Sequence, residues 1–239
     1  MEFDALTLVL LALVIPASFV LSAAAGLGGS LILVPGLMLA IGTREGIAIA
    51  ALLLACNNIA KVIVYRKTLP WRASALIAVA VICGSALGAS LMLQMPETWL
   101  AWGVAIMLLL TLAGDFLAHG PVHKVWAVVL AFLSGSTSGF SGTSGPLKGV
   151  AIRSLQLERF YFVGAASLIS MVGDMTKALV FSQSGVITST HLLLAGTLVP
   201  VMIGCSLLGR RINREVGEKW YSLLFWAVMG GYLIRLMVV

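Results

Sequence analysis

The amino-acid sequence predicts an all-α polytopic membrane protein made of two inverted repeats, each a glycine-broken hairpin of re-entrant type followed by three transmembrane helices. Composition is the first reason: 60% of the 239 residues are hydrophobic and 10% are charged, whereas about 25% are charged in soluble domains. The second is that clusters of charge separate apolar runs of about 15 to 25 residues, the length that a spanning helix needs. The third is a pair of glycine-rich breaks, one in each half of the chain. A water-soluble fold is excluded.

The positive charge of the chain indicates membrane topology. The net charge is +6, but there is no soluble domain whose basic face could bind nucleic acid. Positive residues in cytoplasmic loops account for the excess. The N-terminal segment carries Glu2 and Asp4 before its apolar run. It therefore lacks the positive start of a secretory signal, and we expect it to be retained in the mature protein.

Ten apolar segments can be placed along the chain. They cover approximately residues 4–25, 30–42, 46–65, 73–94, 98–117, 124–138, 144–152, 160–182, 188–209 and 218–239. Gly26-Leu27-Gly28-Gly29-Ser30 interrupts the first pair, and the run from Ser134 to Pro146 interrupts the sixth and seventh segments. Such runs are not expected to continue a stable helix. We therefore expect each interrupted pair to form a hairpin, although the segment 4–25 is long enough to span the membrane by itself.

The two halves of the chain repeat each other. Gly26 and Gly29 match Gly139 and Gly142 at an offset of 113 residues. After a three-residue gap the offset becomes 116, and it then pairs Asn58, Lys61, Gly88, Ser90 and Leu91 with Asp174, Lys177, Gly204, Ser206 and Leu207. We predict that residues 1–120 form the first repeat and residues 121–239 the second, within one transmembrane domain.

The loop charges predict that the two repeats are inverted. The first-half loop with Arg66, Lys67 and Arg72 corresponds to an uncharged second-half loop around 183–190. The loop at Glu97 corresponds to a second-half loop with Arg210, Arg211, Arg214 and Lys219. Because positive loops face the cytoplasm, equivalent loops must lie on opposite sides of the membrane. Ten basic residues then lie inside and two, Arg44 and Arg235, lie outside.

The glycine breaks are the first candidate for a binding site. Two hairpins that enter from opposite faces would bring their turns together near the midplane, where helix N-termini offer N–H groups and a positive dipole end. Such a site favours a small anion. The alternative is close helix packing by small residues. The candidate residues are Gly26, Gly28, Gly29, Ser30, Ser141, Gly142, Thr143, Ser144 and Gly145.

Polar residues inside the apolar segments are the second candidate. They are Asn57, Asn58 and Lys61 in the first half and Asp174 and Lys177 in the second. Ionisable groups at membrane depth normally face a cavity or a partner. Alternatively, the lysines could extend to the headgroups, and Asp174 could neutralise Lys177 three residues later. Lys148, after the second glycine run, is equally ambiguous.

An enzymatic alternative rests on one short motif. Gly139-Phe140-Ser141-Gly142 has the GxSG form of an intramembrane serine protease, which requires a histidine on another helix. The three histidines lie at predicted segment ends, so we favour a protein that is not an enzyme. The sequence has no nucleotide-binding loop or acidic metal cluster, and its three cysteines lack CxxC spacing. We expect no cofactor, metal site or disulfide.

Several motifs together resemble the TauE/SafE sulfite exporter family, also called the TSUP family. They are the Gly26–Ser30 run followed by Pro35-Gly36, Tyr65-Arg66-Lys67 before Trp71, the helix with Gly84 and Gly88, and the run Gly139–Leu147. The resemblance covers nearly the whole chain. It implies a secondary transporter of sulfite, an organosulfonate or a related sulfur compound, with Gly28, Gly29, Gly142 and Gly145 in the substrate region.

These observations predict a secondary transporter of a small sulfur-containing anion, with export as the favoured direction and alternating access as the mechanism. We expect a multi-pass protein of the cell inner membrane whose partners are the anionic substrate and the lipid bilayer, with no nucleic acid. A membrane accessory subunit that does not transport is a further alternative. The sequence leaves open the exact substrate, the coupling ion and the oligomeric state, a homo-oligomer included.

Overall fold

The computed structural model describes residues 5–25, 29–117, 123–143 and 145–212. These residues form nine α-helices and one short 3-10 turn at Arg66–Thr68, and the described ranges contain no strand. The helices are α1 (Ala5–Ala25), α2 (Gly29–Ile41), α3 (Thr43–Val64), α4 (Trp71–Gln94), α5 (Glu97–Leu117), α6 (Lys124–Ser141), α7 (Gly145–Arg153), α8 (Arg159–Gln183) and α9 (Ser189–Ile212). The predicted all-α fold is confirmed. The tenth predicted segment, 218–239, lies outside the described residues.

Four of the described helices are long and apolar enough to cross a membrane. They contain the spans Thr43–Val64, Trp71–Gln94, Tyr161–Gln183 and Ser189–Gly209. Large apolar side chains such as Leu76, Leu87 and Leu193 are exposed on the outer surfaces of α4 and α9, where a bilayer would cover them. Helix α2 has only 13 residues, or about 20 Å at 1.5 Å per residue, against roughly 30 Å of hydrocarbon. The protein is therefore a multi-pass membrane protein in which α2 is too short to span.

Helices α3 and α8 form the centre of the molecule. In an apolar stretch of 18 residues from each helix, 67% of the residues of α3 and 61% of those of α8 are buried, against 39% for α4 and 22% for α9. The two central helices run antiparallel. They meet at Asn58 and Asp174, while Thr68, just beyond the end of α3, lies against Gly164 near the start of α8.

The helix bounds recur along the chain at one constant offset. Helices α2 and α7 begin at residues 29 and 145, and α3 and α8 begin at 43 and 159, an offset of 116 in both cases. Helices α1 and α6 end at 25 and 141, again 116 residues apart. The packing recurs as well, since α4 packs on α6 and α8 just as α9 packs on α1 and α3. A single offset of 116 thus replaces the predicted offset of 113 and its gap, and it pairs Gly29 with Gly145.

Glycines allow α4 and α6 to pack with their backbones in contact. A Cβ added to Gly84 or Gly88 of α4 would overlap the backbone of α6 between Phe132 and Phe140, and one added to Gly135 or Gly139 would overlap the backbone of α4. Small residues four apart permit this approach in membrane helices. The role of these four glycines is therefore close helix packing.

The predicted break in the second glycine-rich run begins too early. Helix α6 continues through Ser134 and ends at Ser141. Tertiary packing explains the difference, because contact with α4 stabilises the helix at Gly135 and Gly139 despite the low helix propensity of glycine. The helix ends where Gly142 adopts a left-handed conformation with φ of 77°.

Candidate functional site

A cavity lies where the two halves of the chain meet. It has a volume of about 20 Å³, and α1, α2, α3, α6, α7 and α8 all contribute to its walls. The lining residues are Ser22, Gly29, Ser30, Leu54, Asn58, Lys61, Ser138, Lys148, Ser170 and Asp174. Six of them form three pairs at the offset of 116, namely Ser22 with Ser138, Leu54 with Ser170, and Asn58 with Asp174. Equivalent positions of the two halves therefore face the same space.

Two buried lysines make the same contact in each half. The Nζ atom of Lys61 donates to Ser22 Oγ at 2.9 Å, and Nζ of Lys177 donates to Ser138 Oγ at 2.9 Å. In both cases the serine precedes the lysine by 39 residues. The two lysines are only 1% and 0% exposed. Neither ammonium group extends to the headgroups, so the snorkelling alternative does not hold for either side chain.

Asp174 is the counter-ion of Lys177. Its Oδ1 atom lies 2.6 Å from Lys177 Nζ, and its Oδ2 atom accepts a hydrogen bond from Asn58 Nδ2 at 2.6 Å. Because a carboxylate only accepts, this contact fixes the orientation of the Asn58 amide. The structure thus shows the alternative in which Asp174 neutralises Lys177. Asn58 Oδ1 is buried without a hydrogen-bond partner within the described ranges.

Lys61 and Lys148 have no such counter-ion. Lys148 is partly buried in the first turn of α7, and its ammonium has no hydrogen bond or ion pair with any residue that the structure describes. The two ammonium groups repel each other, and both are attracted by the Asp174 carboxylate. With all lysines protonated, the charges of Lys61, Lys148 and Lys177 minus that of Asp174 leave +2 at the cavity.

The N-terminus of α2 also faces the cavity. The helix begins at Gly29, and Gly29 and Ser30 both line the wall. The first N–H groups of a helix lack intrahelical acceptors and carry a partial positive charge. A Cβ on Gly29 would lie 2.5 Å from the Cβ of Ser22, so only glycine lets α2 approach the serine that binds Lys61.

The structure brings together only part of the predicted site. The predicted residues that line the cavity are Gly29, Ser30, Asn58, Lys61 and Asp174, and Lys177 lies directly behind Asp174. Asn57 is buried beside α9 instead, where its Oδ1 accepts from Ser206 Oγ at 3.3 Å. Gly26, Gly28 and Ser144 lie outside the described residues.

The second glycine turn does not line the cavity. Ser141, Gly142 and Thr143 are buried but are not among the residues that line it. Ser141 Oγ donates to the carbonyl oxygen of Thr137 at 2.8 Å. A Cβ on Gly142 would meet Val34 of α2. Gly145 begins α7, the helix that carries Lys148.

The sequence interpretation missed Ser22, Ser138 and Ser170 and left Lys148 undecided. One signal was available. Lys61 and Lys177 match at an offset of 116, and Ser22 and Ser138 match at the same offset. The offset of 116 pairs the two serines, whereas the offset of 113 between the glycines does not.

The contacts of Ser141 do not favour a protease. Its hydroxyl donates to the carbonyl oxygen of Thr137 in α6, and its other polar neighbour is Thr143. His123 caps the opposite end of α6, about 27 Å away at 1.5 Å per residue. His191 accepts a hydrogen bond from the backbone of Thr188. Within the described ranges, no histidine contacts Ser141, and no cluster of His, Cys, Asp and Glu could hold a metal ion.

The described residues thus form a multi-pass helical membrane protein with a polar, cationic cavity between the two halves of the chain. The profile of the sulfite exporter TauE/SafE family matches residues 9–236. The chain belongs to this family of membrane transport proteins. Neither the curated proteins nor the solved structures yielded a match.

Proposed function

We propose that this protein exports a small sulfur-containing anion, sulfite or an organosulfonate, across the cell inner membrane. The observation that carries the proposal is the cavity between the halves, where Lys61 and Lys148 lie beside the N-terminus of α2. Two ammonium groups without counter-ions are costly at membrane depth. An anion in the cavity would offset that cost and accept hydrogen bonds from the ammonium groups.

We further propose that residues 1–120 and 121–239 are inverted repeats. Two observations support this arrangement: bounds and packing recur at the offset of 116, and the equivalent helices α3 and α8 run antiparallel through Asn58 and Asp174. An axis that exchanges two antiparallel spanning helices lies in the plane of the membrane. That is the symmetry of many secondary transporters.

The positions of basic residues agree with this topology. The contact between Thr68 and Gly164 brings the loop with Arg66 and Lys67 close to the segment Arg153–Arg159. Helices α4 and α6 pack in parallel through their glycines, so Lys124 at the start of α6 lies on the same side. By the positive-inside rule this side is cytoplasmic.

In the proposed mechanism, the halves open the cavity alternately to the two sides of the membrane. The anion enters from the cytoplasm, binds Lys61, Lys148 and the N-terminus of α2, and leaves when the opposite side opens. The central helices α3 and α8 carry the fixed part of the site. A proton gradient or the membrane potential would drive the cycle.

Anion-dependent thermal stabilisation of the purified protein tests the binding step. Sulfite, thiosulfate, sulfonates and carboxylates are compared in detergent at constant ionic strength. An anion at 100 times its Kd should stabilise the folded protein by about 2.7 kcal/mol. A protein whose melting temperature responds to none of these anions would contradict the proposal.

A further inference from the structure

The charge and size of the cavity restrict the substrate further. Of the ten residues that line it, Leu54 is the one with a large apolar side chain, so the wall offers little surface for an organic tail. The volume of about 20 Å³ is slightly more than the 10 to 15 Å³ that a single water molecule requires, so the walls must move apart to admit any oxoanion. A compact, charge-dense anion fits these features better than an anion with an apolar substituent.

The charge balance favours two negative charges on that anion. Asp174 is already engaged by Lys177 and Asn58, so it cannot neutralise Lys61 and Lys148 without giving up those contacts. The hydrogen bond of Lys61 to Ser22 is to a neutral hydroxyl. Two cationic groups are therefore left to be compensated by the occupant, and a monoanion would compensate only one of them.

We infer that the cavity selects a doubly charged sulfur oxoanion without an organic tail over singly charged sulfonates, and that Lys148 determines this selectivity. The inference rests on the proposed function and narrows its substrate class. Lys148 is suited to the role because no described residue pairs with its ammonium, whereas Lys61 is held by Ser22. Removing Lys148 leaves a site of charge +1. A monoanion neutralises that charge fully, whereas a dianion exceeds it by one charge.

Sulfate and methanesulfonate are a matched pair of probes. They have similar size and tetrahedral shape, but a methyl group replaces one charged oxygen in methanesulfonate. Thiosulfate serves as a second dianion. Dissociation constants are measured by calorimetry or thermal shift on the full chain in detergent, at one pH and constant ionic strength. We expect the wild type to bind a dianion at least about tenfold more tightly than methanesulfonate, a modest difference for one charge-assisted contact.

The variant Lys148→Gln should lower the affinity for the dianion and bring the ratio of the two constants close to one. Lys148→Arg keeps the charge and should keep the preference, and Lys67→Gln in the exposed loop should behave as wild type. Without any anion, Lys148→Gln should melt at or above the wild-type temperature, because it removes a cation that lacks a partner. This readout shows that lost binding does not result from misfolding.

The outcomes separate the inference from the proposed function. If the wild type binds methanesulfonate as tightly as the dianions, or if Lys148→Gln retains the full preference, the inference is wrong while anion transport stands. If no sulfur anion binds the wild type at all, the proposed function itself fails.

Discussion

At the scale of residues, the buried pair of Asp174 and Lys177 holds the centre of the molecule. Its ionic contact of 2.6 Å lies between residues that are 6% and 0% exposed. Loss of one partner leaves an uncompensated charge, which costs about 3 to 5 kcal/mol for buried pairs. We therefore expect Asp174→Asn and Lys177→Met each to destabilise the protein by an amount in this range.

The double variant Asp174→Asn/Lys177→Met should lose much less stability than the sum of the losses in the two single variants, because neither charge then remains. A double-mutant cycle tests this expectation. It compares the free energies of unfolding in detergent of the wild type, the two single variants and the double variant. Additive losses would show that the two charges are not coupled, contrary to the observed contact.

The sequence located this pair but not the whole site. Asp174 and Lys177 are separated by one helical turn, so their proximity follows from local geometry alone. The position of Lys148 depends on how α7 packs against other helices, and no local pattern encodes that arrangement. Ser22 and Ser138 resemble ordinary small polar residues until each is paired with its lysine.

At the scale of elements, the two equivalent helices α4 and α9 pack against equivalent partners but differ in how close the backbones come at one glycine. A Cβ on Gly88 of α4 would overlap backbone atoms of Ser136 and Phe140, whereas nothing lies within 4 Å of a Cβ on Gly204, its equivalent in α9. We expect Gly88→Ala to destabilise the protein by about 1 to 3 kcal/mol, the cost of overpacking. The matched Gly204→Ala should be neutral or stabilising by up to about 1 kcal/mol, since alanine is the better helix former.

Melting temperatures of the two glycine variants in detergent decide between these expectations. Equal effects at the two positions would mean that the close contact of α4 with α6 does not contribute to stability.

The helix bounds show what apolar patterning can and cannot predict. All nine described helices begin and end within three residues of the predicted segments, because loops that contain charged residues, glycine or proline separate the apolar runs. The C-terminus of α6 is one of the largest differences, since it lies at Ser141 instead of residue 138. Glycines and serines there look like a loop in sequence, but packing on α4 keeps them helical.

At the scale of the whole molecule, the inverted topology makes a prediction about access to solvent. Single cysteines at Lys67 and Arg211, introduced after replacement of the native cysteines, should react with an impermeant reagent from the cytoplasmic side. Cysteines at Met95 and Ser184 should react from the opposite side. All four positions are exposed at the surface of the structure. Labelling of positions 67 and 211 from opposite faces would contradict the inverted arrangement and indicate parallel repeats.

The central claim is that an anion crosses the membrane through the cavity that contains Lys61. Its most direct test is sulfite efflux from proteoliposomes, measured as a function of sulfite concentration for the wild type, Lys61→Gln and the loop control Lys67→Gln. We expect saturable efflux for the wild type and Lys67→Gln, and about 10- to 150-fold weaker apparent affinity for Lys61→Gln, the loss of one charge-assisted hydrogen bond. Wild-type efflux no faster than from empty liposomes, or equal behaviour of the two lysine variants, would contradict the account.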